Sequence, residues 1–99
     1  MASKMVRGSG NVFRDLGFSS AEAANLQLRS ELMIELRKLL AARGATQVQA
    51  ARFLGVSQPR VSDLYRGKID RFSVDTLIKF LGKAGAEVSL KVRRRSRAA

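Results

Sequence analysis

TQVQAARFLGVSQPRVSDLYRGK, residues 46–68, reads as two short helices joined by a tight turn. Thr46 offers a side-chain oxygen to the open N–H groups of a helix starting at Gln47, and the helix is expected to run to Leu54. Ala50 and Ala51 are small at its centre, where another helix can cross closely. Gly55 ends it, because the chain must turn through a left-handed backbone that glycine adopts cheaply. Ser57 caps the next helix. Pro59 falls in its first turn, where a missing N–H removes no intrahelical bond. Val61, Leu64 and Tyr65 form its inward face, while Pro59, Ser62, Asp63 and Arg66 share an outward one. Gly67 stops it.

Upstream, Ser19 and Glu22 have the spacing of a capping box, so a long helix is expected from Ala21 to about Arg43, ending at Gly44. Leu28, Leu32, Leu36, Leu39 and Leu40 form its apolar stripe, and Met33 and Ile34 widen it. Before it lies NVFRDLGF, residues 11–18, which Asn11 can cap as a short turn and Gly17 can close. Its Val12, Phe13, Leu16 and Phe18 either pack on the domain's own core or form a docking surface for another protein. Residues 1–10 read as a flexible leader.

Downstream, Ser73 caps a further helix whose core candidates are Val74, Leu77, Ile78, Phe80 and Leu81, ending near Gly82 to Gly85. Residues 86–93, AEVSLKVR, differ in kind: Val88, Leu90 and Val92 alternate with Glu87, Ser89, Lys91 and Arg93, the pattern of a strand. A lone strand leaves backbone donors and acceptors unpaired. Pairing with the same strand of a second copy about a two-fold axis is the economical solution, and pairing with the N-terminal segment of its own chain is the other. The expected architecture is therefore mainly α, a bundle of four to five helices over residues 11–85 with a C-terminal β-strand at a homodimer interface, then a basic tail, 94–99.

Composition narrows the function. Nineteen basic against eight acidic side chains give +11, of which residues 87–99 carry +4 and residues 45–71 carry +3. Such charge calls for a polyanionic partner, nucleic acid ahead of a membrane surface or an acidic protein. The chain has neither Cys nor His, and its acidic residues show no metal-cluster spacing, so disulfides, metal sites and the usual catalytic bases are not expected. No cofactor is implied, and Glu22, Glu31 and Glu35 read as exposed helix charges rather than an acid–base pair. No apolar run is long enough to span a bilayer, and residues 1–10 lack the apolar core of a signal peptide, which suggests a cytoplasmic protein.

The 46–68 stretch resembles the helix-turn-helix of the Xre family of repressors, matching its pattern at Thr46, Gln47, Ala51, Gly55, Val56, Ser57, Val61, Ser62 and Gly67. The resemblance implies a phage-repressor-like fold whose second motif helix, within 46–67, enters the major groove of double-stranded DNA. Carried onto this chain, Gln58 is placed to bond adenine, Arg60 to take guanine or a phosphate, and Pro59, Ser62 and Asp63 to complete the base-reading face. Gln47 and Ser57, at helix starts, with Arg66, Lys68, Arg71 and Arg43, become phosphate contacts. Asp63 is the odd member: it either accepts from cytosine N4 or pairs with a neighbouring base such as Arg60 or Arg66.

Over residues 8–93 the chain also resembles small Xre-type antitoxins of toxin–antitoxin pairs, near the HigA group. That implies a nucleoid-associated dimer that represses its own operon and neutralises a RelE- or HigB-like ribonuclease toxin; Val12, Phe13, Leu16 and Phe18, with the long helix after them, carry apolar side chains outside the helix-turn-helix and are the expected toxin-facing surface. The alternatives are a lone regulator without a toxin, and a charge-driven, non-specific nucleic-acid binder; a nuclease is disfavoured by the missing His and Cys.

Overall fold

The structure is a computed structural model that describes residues 11–94; the leader 1–10 and tail residues 95–99 lie outside the described residues. In chain order it has α1 (Val12–Asp15), α2 (Ser20–Ala42), α3 (Gln47–Leu54), α4 (Gln58–Tyr65), a single 3-10 turn (Ile69–Arg71) and α5 (Val74–Lys83).

Each start is set by a side chain. Asn11 Oδ1 accepts from the Phe13 amide at 2.9 Å, and Asn11 Nδ2 donates to the Ala23 carbonyl at 3.2 Å, tying α1 to α2. Ser19 Oγ accepts from the Glu22 amide, so α2 begins one residue earlier than its spacing suggested. Thr46 and Gln49 cap one another's backbone at the start of α3, at 3.1 and 2.9 Å. Ser57 and Ser73 accept from Arg60 and Thr76 amides at the starts of α4 and α5. Gly55 takes the left-handed conformation, φ 73°, that turns α3 into α4.

The core lies between α2 and the other helices. Leu32, Met33, Leu36 and Leu40 of α2 are buried with Ala50, Ala51 and Leu54 of α3, Val61 and Leu64 of α4, and Leu77, Phe80 and Leu81 of α5. The small Ala50 and Ala51 are both buried where α3 packs on its neighbours, as their size suggested. Phe72 lies fully inside, edge-on to Phe80 at 6.4 Å.

Several cations serve this packing. Arg29 Nη1 donates to the carbonyls of Ile69 at 3.1 Å and Phe72 at 3.4 Å, and Arg37 Nη1 donates to Tyr65 O at 3.2 Å. Arg29 ties the segment after α4 to α2, and Arg37 ties the last residue of α4 to it. Lys83 Nζ closes the end of α3 by donating to Leu54 O at 3.0 Å. Ile69 O also accepts from the Phe72 amide at 3.4 Å, while the Tyr65 and Leu54 carbonyls lie at helix ends, where intrahelical donors run out.

Three expectations are corrected. Residues 86–94 hold no strand: the segment has no regular structure, and no strand occurs among the described residues. A strand exists only by pairing, and nothing described here pairs with it, so Leu90 and Val92 stand more than four-fifths exposed. Ile78 is not core; it lies on the outer side of α5, where Leu77 and Leu81 take the inward positions. Of the two readings of residues 11–18, packing on the core holds only in part: Val12, Leu16 and Phe18 are exposed, while the half-buried Phe13 meets Phe18 edge-on at 6.2 Å. Leu28 and Ile34 are likewise exposed on α2.

Candidate nucleic-acid interface

The αL turn at Gly55 sets α3 and α4 so that their N-terminal ends open onto the same surface. Gln47, first residue of α3, and Gln58, Pro59 and Ser62 of α4 line one open depression of about 380 Å³. Four residues assigned from sequence to base reading or phosphate binding are thus brought together by the fold. Both helix starts bring unpaired backbone N–H groups and the positive end of a helix dipole to this surface, which suits an anion. Thr46 and Ser57 consume some of those donors as caps, leaving the amide side chains of Gln47 and Gln58 as the exposed polar groups at the two starts.

The arginines of the motif divide differently. Arg60 does not line the depression. Its guanidinium lies 4.4 Å over the Phe72 ring and its Nη1 donates to the Arg71 carbonyl at 2.9 Å. Arg71 Nη1 in turn bonds Asp63 Oδ2 at 3.2 Å. Arg60 and Arg71 border a second, more polar cleft of about 590 Å³, with Asn25, Arg29, Asp70 and the start of α5 around it. Asp63 therefore pairs with a base, as one reading of the sequence held, but with Arg71 rather than Arg60 or Arg66. Its side chain is only 20% exposed, so the carboxylate is turned toward the segment after α4.

Arg66 and Lys68 flank the end of α4, Arg66 exposed as its C-cap and Lys68 partly covered. Arg43, at the end of α2, stacks on the Phe53 ring at 4.3 Å and approaches Gly85. That position is separate from the depression. Sequence reasoning passed over Phe72, which both seals the core and carries the Arg60 guanidinium. A signal existed: Phe72 precedes the Ser73 cap and Leu77 follows it at hydrophobic-staple spacing, and both are buried.

A unit of five α-helices with two capped helices set across a glycine turn, their N-termini opening onto one shared depression, defines a helix-turn-helix protein. The family model described as Helix-turn-helix domain matches residues 12–93, and the chain belongs to that family. Within it the chain is an Xre-type regulator resembling HigA. It is 33% identical over 81 residues to a candidate antitoxin, HigA2, of Mycobacterium tuberculosis, covering 81% of this chain and 80% of that protein. A solved structure described as a candidate Xre family transcriptional regulator superimposes with a TM-score of 0.71 at 29% identity, covering 79% of this chain and 88% of that one. No helix among the described residues is long and apolar enough to cross a membrane.

Proposed function

We propose that the chain is a sequence-specific repressor that binds double-stranded operator DNA as a homodimer and acts as the antitoxin of a toxin–antitoxin operon. The observation that carries the DNA reading is the shared depression of Gln47, Gln58, Pro59 and Ser62 at two helix N-termini. In this reading α4 enters the major groove, Gln58 bonds a base edge, and Arg66, Lys68 and Arg71 grip flanking phosphates. The antitoxin reading is supported by the HigA2 relative and by the exposed Val12, Leu16 and Phe18 of the α1 region, which form an apolar surface remote in sequence from α3 and α4.

The dimer reading rests on residues 86–93. Exposed Val88, Leu90 and Val92 alternate with polar residues and would be covered if two copies paired antiparallel. The site of action is the cytoplasm, at the nucleoid.

Mild affinity purification from the native host, with mass spectrometry of what elutes, tests the antitoxin part. A stoichiometric small RelE-like ribonuclease is the expected companion, and its operon's promoter is the DNA to titrate. Elution of the dimer with genomic DNA only would favour the second reading, a lone Xre-type regulator, which the description of the solved relative supports.

A further inference from the structure

We propose that Asp63 is a positioning residue that presets Arg71 for the DNA backbone. This rests on the DNA reading above and assigns how one phosphate contact is built. Arg71 is held from two sides. On its side chain, Nη1 lies 3.2 Å from Asp63 Oδ2. On its backbone, the carbonyl accepts from Arg60 Nη1 at 2.9 Å, and the Arg60 guanidinium itself lies 4.4 Å over Phe72, a ring anchored in the core.

Exposure shows which member faces outward. The Asp63 side chain is 20% exposed and that of Arg71 is 52% exposed. The carboxylate is mostly covered, while the guanidinium keeps an open flank. A guanidinium has five N–H donors in a rigid fork, so a bond to one carboxylate oxygen leaves others for a phosphate. A free arginine arm would lose rotamer freedom on binding, and one already held loses less. Asp63 thus has a physical reason to sit beside a polyanion: its charge is matched by Arg71, and it aims a cation.

The test separates position from charge. A duplex is first selected from a random pool with the wild-type protein, then titrated at fixed salt by fluorescence anisotropy with Asp63→Asn, Asp63→Ala, Arg71→Ala and the two double variants. Asn and Ala both remove the charge, but Asn keeps an oxygen that can accept from Arg71. Asp63→Asn is expected to bind about three- to tenfold more tightly than Asp63→Ala, the range for one hydrogen bond. That gap is expected to vanish in the Arg71→Ala background. Equal binding by the Asn and Ala variants would overturn the proposal, leaving the carboxylate acting by charge only. Relaxed preference at one G·C pair that persists in the Arg71→Ala background would overturn it in favour of base reading. If the wild-type protein selects no duplex, the DNA reading itself fails and this proposal falls with it; thermal melts confirm that each variant is folded.

Discussion

Lys83 and Gly55 meet across the fold: the Lys83 ammonium bonds the Leu54 carbonyl at 3.0 Å and stands 3.4 Å from where a Cβ on Gly55 would lie. The turn that orients α4 against α3 is therefore held by the left-handed glycine and also by the end of α5. The geometry of the depression depends on that turn.

Gly55→Ala is accordingly expected to destabilise the protein by about 1–2 kcal/mol, the cost of placing a side chain at φ 73°. Chemical denaturation measures it. Unchanged stability would mean that the turn can relax to another conformation, and the fixed setting of α4 would be lost with it.

Arg29 is expected to matter for folding and not for DNA. Its bonds to Ile69 O and Phe72 O turn the guanidinium inward, onto the segment between α4 and α5. Arg29→Gln should cost about 1.5–3 kcal/mol in stability, the range for hydrogen bonds made by a charged group. The slope of log affinity against log salt should stay as in the wild type, because no phosphate contact is removed. A lowered slope would place Arg29 on the DNA.

Leu90 is 84% exposed in the single chain, so Leu90→Glu should leave the fold intact. If residues 86–93 pair between two copies, the change should weaken the dimer by about tenfold or more, as burial of a leucine side chain is worth roughly 1.5–3 kcal/mol. Sedimentation velocity across a concentration series reads this directly. An undiminished dimer would move the interface elsewhere.

The helix boundaries of the helix-turn-helix half were legible because short-range chemistry sets them. Thr46, Ser57 and Ser73 start α3, α4 and α5, and Gly55 turns the chain, all through contacts within a few residues. The arginines were not legible on the same terms. Arg60 finds its acceptor 11 residues away, Arg71 finds Asp63 eight residues away, and Arg29 reaches 40 residues along the chain. Long flexible side chains choose among acceptors that only the tertiary fold brings near. The motif offers Arg60 guanine or a phosphate, and could not show that the fold sets its guanidinium over Phe72. The strand over 86–93 failed for a different reason: alternation marks a segment able to pair, but a pair needs a second strand. Residues such as Ile78 lay at helical spacing in an apolar run, and spacing alone could not say where the buried arc of α5 ended.

Lys68→Ala should lower the salt slope by about 0.9, one phosphate contact, and leave the preferred sequence unchanged. Lys68 lies just past α4 and is partly covered, outside the shared depression. A shifted sequence preference would put Lys68 on the bases instead.

The most direct test of the central claim is the binding of Gln58→Ala to the selected duplex and to its single-base-pair variants, each across a salt series. Gln58 opens α4 and lines the depression with Gln47, Pro59 and Ser62. Reading by α4 predicts a loss of about 1–3 kcal/mol of discrimination at one base pair, with the salt slope unchanged. Equal weakening on every sequence would contradict it, and α4 would then be gripping the DNA backbone without reading the bases.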